Sequence, residues 1–281
     1  METSAHFSVI IPANNEAAYI GPCLGALLAQ NSPIGGEGGE IIVAANGCTD
    51  DTVALAQAFS DQANSIGWRL SVLEIDKGDK AGALNRADAL ASAPNRIYLD
   101  ADVICDPDLI ASLLQALDQI HPIYASGVMR ISPAKSWFTR RYADIWRRTS
   151  FMADGIQGAG LFAVNAAGRS RWGEFPAIIS DDTFVRISFQ PKERIGVAAG
   201  YTWPLPEGWR NLVKVRRRQD AGIREIHRKY PELVSNEGKS KMGASWMIRI
   251  ALRHPIAFAV YAAVKLAVKL NRGDDAWTRG R

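Results

Sequence analysis

Four short, β-branched runs punctuate the first hundred residues of this 281-residue chain: Phe7–Ile11, Glu40–Ala44, Leu70–Ile75 and Arg96–Leu99. Apolar runs this short, bounded by turn signals, read as buried strands. Helical patterns separate them. Asn14 and Asn15 open one that continues to about Gln30, with Glu16 in its first turn and Ile20, Leu24, Leu27 and Leu28 at helical spacing. A Gly-rich loop (Gly35, Gly36, Gly38, Gly39) leads into the second strand, and Thr49-Asp50-Asp51 caps a helix running to about Gln62. Lys80–Ala91 is helical by composition. Strands alternating with helices of this length predict βαβ units and a mainly parallel sheet flanked by helices, an α/β fold. Such sheets bind ligands in the crevice beyond the strands' carboxyl ends. Pro12–Glu16, Ala45–Thr49 and Asp100–Asp102 all sit there.

Beyond Asp102 the pattern loosens. Asp108–Gln119 reads as a helix, Ile123–Arg130 as a strand and Trp137–Met152 as a basic aromatic helix. A Gly-rich segment, Gly155–Val164, and a loop to Ile179 follow. Asp181-Asp182 then opens another helix, and Val213–Tyr230 is a strongly basic helical stretch. Apolar residues at 47% and charged residues at 22% exclude wholesale disorder. The net charge of +4 hides an asymmetry: residues 206–281 carry 17 Lys/Arg against 7 Asp/Glu, and residues 1–205 carry 16 against 22. A basic C-terminal part on an acidic body suits an anionic partner. Cys23, Cys48 and Cys105 stand singly, which argues against a structural zinc site or a disulfide framework and fits a reducing compartment. The METSAHFSVIIP start lacks the features of a signal peptide, and no apolar stretch reaches the roughly 18 residues of a spanning helix. The expected location is cytoplasmic, peripheral on the inner face of a membrane.

IYLDADVI sets Asp100 and Asp102 just past a strand. Paired carboxylates there suit a hard cation, Mg²⁺ or Mn²⁺, shared with substrate phosphates. Asp102 is the expected direct ligand, with Asp100 touching a ribose or the metal through water. A plain Asp-rich turn has the same residues, so the triplet needs its context.

The order of five blocks supplies that context: IIPANNEAAYI, ANGCTDDT, KAGALNRA, YLDADV and SDDTFVR. Together they resemble the family 2 glycosyltransferases over roughly residues 7–190. The resemblance implies the A-type (GT-A) Rossmann-like fold and an inverting, metal-dependent transfer from a nucleotide-diphosphate sugar, commonly a UDP-sugar, to a hydroxyl acceptor. Carried over position by position, Pro12, Ala13 and Glu16 lie against the nucleoside, and Lys80 approaches the base or phosphates. Asn46 stands where the family often has an acidic residue; its amide could pair with a pyrimidine edge or simply shape the turn. Asp182 matches the catalytic base that takes the acceptor hydroxyl's proton, and Asp181 orients the acceptor or its loop. The Gln-x-x-Arg-Trp block of processive relatives is absent, which implies single additions. KVRRRQ takes its place, and one of Arg216, Arg217 and Arg218 is expected to neutralise the leaving diphosphate.

The resemblance divides the chain into a catalytic domain (1–212, nucleotide half about 1–105, acceptor half about 106–212) and a basic C-terminal helical region (213–281). Trp246–Leu270 is the most apolar segment, broken at His254-Pro255. On a helical wheel Phe258, Lys265 and Lys269 share one narrow sector, as in an interfacial helix lying on a membrane. A helix packed on the catalytic domain would show the same pattern. A lipid-linked acceptor follows from the membrane reading. The rival functions are a sugar nucleotidyltransferase, disfavoured by PANNE where a basic phosphate loop would stand, and a non-catalytic nucleotide- or nucleic-acid-binding protein. The basic helix lacks aromatic interleaving or a recognition motif, so no nucleic-acid partner is expected.

Overall fold

The computed structural model describes residues 5–31, 38–153, 156–238 and 243–270; Gly35, Gly36 and Gly155 of the Gly-rich segments lie outside these. The first part of the chain contains β1 (Phe7–Ala13), α1 (Ile20–Leu28), β2 (Gly39–Asn46), α2 (Thr52–Gln57), α3 (Ser60–Ser65), β3 (Arg69–Ile75), α4 (Lys80–Leu90) and β4 (Asn95–Leu99). The second half adds β5 (Ile104–Cys105), α5 (Leu109–Leu117), β6 (Tyr124–Ile131), α6 (Trp137–Trp146), α7 (Ser150–Ala153), β7 (Leu161–Val164), α8 (Ala166–Arg169), α9 (Asp181–Ile187) and β8 (Arg194–Trp203). Three helices close the described chain: α10 (Gly208–Lys229), α11 (Ala244–Arg253) and α12 (Pro255–Leu270).

The strands form one eight-stranded sheet in the order β3-β2-β1-β4-β7-β6-β8-β5. β1 to β4 pair in parallel, β7 runs antiparallel between β4 and β6, and β6 and β8 are parallel. The expected α/β sheet flanked by helices is thus present. β1 and β2 are buried along nearly their whole length, which is why their sequences are continuous apolar runs rather than alternating ones. Ile10 pairs with Tyr98 and Ala13 with Ala45, so the chain leaves β1, β2 and β4 side by side at one edge. That edge is the site.

Three departures from the sequence pattern have local causes. The helix expected from Asn14 begins only at Ile20, because Asn14 and Asn15 are bound across to the β2–α2 loop. Asn14 Nδ2 donates to the Asn46 and Gly47 carbonyls, and Asn15 Oδ1 accepts from Thr49 N. Asn15 itself takes the left-handed conformation, φ 52°, tolerated by Asn but not in a helix. The helix expected to reach Gln62 is two short ones, with Phe59 between them packed against the main core. β8, which none of the runs above anticipates, sets Ile195, Val197, Tyr201 and Trp203 among Gly and Ala and pairs with both β6 and β5.

The apolar segment 246–270 is two helices, broken at His254-Pro255. One face of α12 is packed: Val260, Val264 and Val268 join the main core, and Tyr261 stacks on Tyr142 of α6. The opposite side stays open, with Ile256 63%, Leu266 56% and Leu270 74% exposed. No helix among the described residues is long and apolar enough to cross a membrane.

At the sheet's other end, buried Glu40 ties β1, β2 and the α4–β4 link together. Its carboxylate accepts from Ser8 Oγ, Arg69, and the backbone N–H groups of Ser92 and Ala93. Burial alone would raise its pKa, but the hydrogen bonds from Ser8, Arg69 and Ser92 bring it down to about 2. The anion's stabilising effect is therefore full above the ordinary glutamate value and lost as pH falls towards 2. Glu40→Ala leaves those donors unanswered and should cost about 2–4 kcal/mol in urea unfolding at neutral pH. A change below about 0.5 kcal/mol would place Glu40 among ordinary surface positions.

Candidate functional site

Lys80, the first residue of α4, reaches across the sheet's edge to two carboxylates from opposite halves of the chain. Its ammonium lies 3.1 Å from Asp100 Oδ1, just after β4, and 3.2 Å from Asp181 Oδ2, at the start of α9. Burial would lower the Lys80 pKa, but the charges of Asp100, Asp181 and Asp182 outweigh it and hold the ammonium well above its usual range. A cation at a helix start opposes the helix dipole; these carboxylates reverse that balance.

Two clefts meet at this ion-paired bridge. The first encloses about 910 Å³, open mouth included, and is lined by Pro12, Asn14, Glu16, Asn46, Asp100 and Asp102 on the sheet side. Trp203, Pro204, Val215, Arg218 and Gln219 close it from the other. The second encloses about 1200 Å³ and runs past Asp181 and Asp182 between α9, α10 and α12. Lys80, Asp100, Trp203, Arg218 and Gln219 border both.

The sheet-side loops are preset by hydrogen bonds within the chain. Asn46 Nδ2 donates to the Ala13 and Ala44 carbonyls, and its Oδ1 accepts from Asp79 N, which fixes the start of α4 and hence Lys80. The amide is thus committed to backbone while the residue lines the first cleft. Gly47 (φ 58°) turns so tightly that a Cβ would lie 2.5 Å from Gly78 N. Glu16 N donates to Thr52 Oγ1, which seats Glu16 at the rim. Asp100 N donates to the Gly160 carbonyl. Gly160 (φ 76°) has no room for a Cβ between Trp203 and Val103, so β4 and the strand-side of the cleft approach closely there.

Asp181 is 8% exposed. Burial and the neighbouring Asp181 charge push the Asp182 carboxyl up to about 6, against the pull of Lys80. The α9 start is held by α10: Ile179 N donates to Glu225, and Gly222 lets α10 come so close that a Cβ would lie 2.2 Å from Ser180 Oγ. A carboxylate poised to take a proton near neutral pH is the result.

Of the residues singled out from sequence, Pro12, Glu16, Asn46, Lys80, Asp100, Asp102, Asp181 and Asp182 converge on the two clefts. Ala13 is fully buried and contributes only its carbonyl, to Asn46 and Cys48. The three arginines separate. Arg218 borders both clefts; Arg216 borders the second and is held by Gln219 and Asp220; Arg217 borders neither. Sequence reasoning missed Asn14, Trp203 and Gln219 in the first cleft, and Trp146, Phe151, Tyr261 and Lys265 in the second. Only Asn14, inside the PANNE block, carried a local signal.

For a divalent cation the donor set is hard oxygen. Asp102 is 6% exposed at the cleft wall beside Asp100. No group of three or more His, Cys, Asp or Glu side chains that could hold a metal exists among the described residues. Two carboxylates completed by phosphate oxygens and water is the usual arrangement for Mg²⁺ on a phosphorylated ligand. Oδ1 of Asp100 is engaged by Lys80, and the Asp100 and Asp102 carboxylates both border the first cleft.

Comparison with known proteins follows the same lines. The sequence profile described as "Glycosyl transferase family 2" matches residues 8–173. Validoxylamine A glucosyltransferase of Streptomyces hygroscopicus subsp. jinggangensis is 34% identical over 110 residues, 39% of this chain and 25% of that protein. The match thus spans only about a quarter of that curated relative's length. The mannosyltransferase PcManGT from Pyrobaculum calidifontis, solved with GDP-Man and Mn²⁺, superposes with a TM-score of 0.63 at 20% identity, covering 96% of this chain and 76% of that one. Glucosyl-3-phosphoglycerate synthase from Mycobacterium tuberculosis, solved with Mn²⁺, UDP and glucosyl-3-phosphoglycerate, gives 0.51 at 20% identity over 79% of each chain. At these identities the two structures establish the fold.

Proposed function

The chain belongs to glycosyl transferase family 2, and from that premise we propose that it moves a sugar from a nucleotide-diphosphate sugar to an acceptor hydroxyl with inversion. The observation that carries this reading is the convergence of Asp100, Asp181 and Asp182 around Lys80 where the two clefts meet, with Asp102 on the wall of the first. The first cleft takes the donor, a UDP-sugar by preference. Pro12 and Glu16 flank the nucleoside, and Asn46 shapes the wall behind it. Asp102, with Asp100, would hold Mg²⁺ or Mn²⁺, whose charge supports departure of the diphosphate. Arg218 supplies a guanidinium to the same phosphates. Residues 1–105 then serve the donor and 106–212 the acceptor; in the basic C-terminal region (213–281), α10 closes both clefts and α12 the second.

Asp182 accepts the proton of the acceptor hydroxyl as that oxygen bonds to the anomeric carbon. The bond from that carbon to the diphosphate oxygen breaks on the opposite face, and its electron pair leaves with the nucleoside diphosphate. Asp181, pinned by Lys80, keeps the α9 start in place. Lys80 also restrains the Asp182 pKa, so the base stays largely ionised at neutral pH.

The exposed apolar side of α11 and α12 supports a membrane-surface partner as well. Ile248, Leu252 and Ile256 are 62%, 78% and 63% exposed, and Arg249 and Arg253 lie among them, a composition suited to anionic lipid. A lipid-linked acceptor and a location on the inner face of a membrane would follow.

Asp182→Asn should keep Mn²⁺-dependent binding of the donor nucleotide but lower kcat roughly a hundred- to ten-thousand-fold; Asp102→Ala should lose the metal-dependent binding itself. In the unaltered protein kcat/KM should fall as pH drops below about 6, where Asp182 becomes protonated. Turnover of Asp182→Asn at the parental rate would assign the base elsewhere. Since a raised carboxyl pKa means that ionisation opposes folding, the same variant should be no less stable at pH 7. For the membrane, deletion of the tail would uncover the core face of α12, so point changes are the better probe. Leu252→Glu with Ile256→Glu should abolish flotation with vesicles containing anionic lipid; undiminished flotation would end that part of the reading.

A further inference from the structure

Past Asp181 and Asp182 the second cleft is walled by aromatic rings. Trp146 stacks on Phe151 with centroids 5.7 Å apart and leans on Trp203 at 5.9 Å. Tyr261 of α12 also lines the cleft, as does Lys265 one helical turn on. The Lys265 ammonium lies 5.7 Å from the Tyr261 ring centroid. The other cations of this cleft are accounted for. Lys80 is spent on Asp100 and Asp181, Arg216 on Gln219 and Asp220, and Arg218 borders the donor side as well. Lys265 has no carboxylate partner among the described residues, and transfer chemistry at Asp182 gives it nothing to do. The cleft is therefore polarised: acidic where the hydroxyl must sit, apolar and flat along its wall, cationic at α12.

We propose that the acceptor is an anion, a hydroxyl-bearing molecule whose ring or apolar skeleton lies along Trp146, Phe151, Trp203 and Tyr261 and whose phosphate or carboxylate pairs with Lys265. This rests on the reading that Asp182 faces the acceptor. It makes α12 a specificity-determining wall of the site, because a cation without a carboxylate partner, set beside aromatic rings, favours an anion with an apolar body over a neutral sugar. The phosphate can be a soluble ester or the headgroup of a lipid; the chemistry at Lys265 is shared.

The experiment is calorimetric titration of the full chain, preloaded with Mn²⁺ and either UDP or GDP so that the diphosphate site is filled. The probes are phenyl phosphate, dioctanoyl phosphatidic acid below its micellar concentration, and neutral phenyl β-glucoside. At least one anionic probe should bind, with the neutral one at least tenfold weaker. Lys265→Ala should lose roughly tenfold in affinity for that anion, and Lys265→Arg should keep it. Tighter binding of phenyl phosphate assigns a soluble ester, and tighter binding of phosphatidic acid a lipid-borne one. Failure of both anions to bind, or equal affinity in Lys265→Ala, overturns the proposal. Nucleoside diphosphate binding is measured first on the same sample. Its loss strikes the donor reading, whereas intact nucleotide binding without an anion effect strikes this inference alone.

Discussion

A single ammonium between two aspartates holds the two halves of this site together. Asp100 follows β4 and Asp181 begins α9, eighty-one residues later in the chain, with Asp102 and Asp182 close to them in sequence. Four carboxylates gathered in one region repel strongly where water is thin. Lys80 meets two of them at 3.1 and 3.2 Å and shifts the balance for the rest. It draws Asp182 downward while burial and Asp181 push it up, leaving that carboxyl at about 6. One residue thus couples the end of β4 to the start of α9.

The bridge has to be presented accurately, and the loops around it are built for that. Asn46 fixes Asp79 and with it the first turn of α4, while its bond to the Ala13 carbonyl clamps β2 to β1. Both bonds join elements distant in sequence, so Lys80 is aimed by the sheet rather than by its own helix. Glu225 and Gly222 do the same for α9 from the opposite side. Leu212 of α10 and Val260, Val264 and Val268 of α12 share the main core with β1 and β2. From that anchorage α10 borders both clefts, and Tyr261 and Lys265 of α12 border the second.

The exposed apolar side of α11 and α12 is a separate matter from that packing. A helical wheel cannot distinguish a stripe that meets protein from one that meets lipid, since both require only apolar residues at helical spacing. Here α12 is partitioned: its valines meet the core, and Ile256, Leu266 and Leu270 face outward.

What the chain's order of residues determined was the parallel β1–β4 part of the sheet. Buried parallel strands need unbroken β-branched runs, and the carboxylates that follow them can only emerge at the sheet's ligand-binding edge; so Pro12, Glu16, Asp100 and Asp102 were legible, and Asp181 and Asp182 became so once the blocks were read in order. What only the tertiary structure decided was everything that depends on contacts between distant segments. The partners of Lys80, the commitment of the Asn46 amide to backbone, Arg218 as the arginine bordering both clefts, and Trp203, Tyr261 and Lys265 as walls have no local signature. A tyrosine on an amphipathic helix looks alike whether it faces a core or a cleft. Local pattern encodes burial and period; which groups meet across the cleft is set by packing, where the free energy lies in long-range contacts.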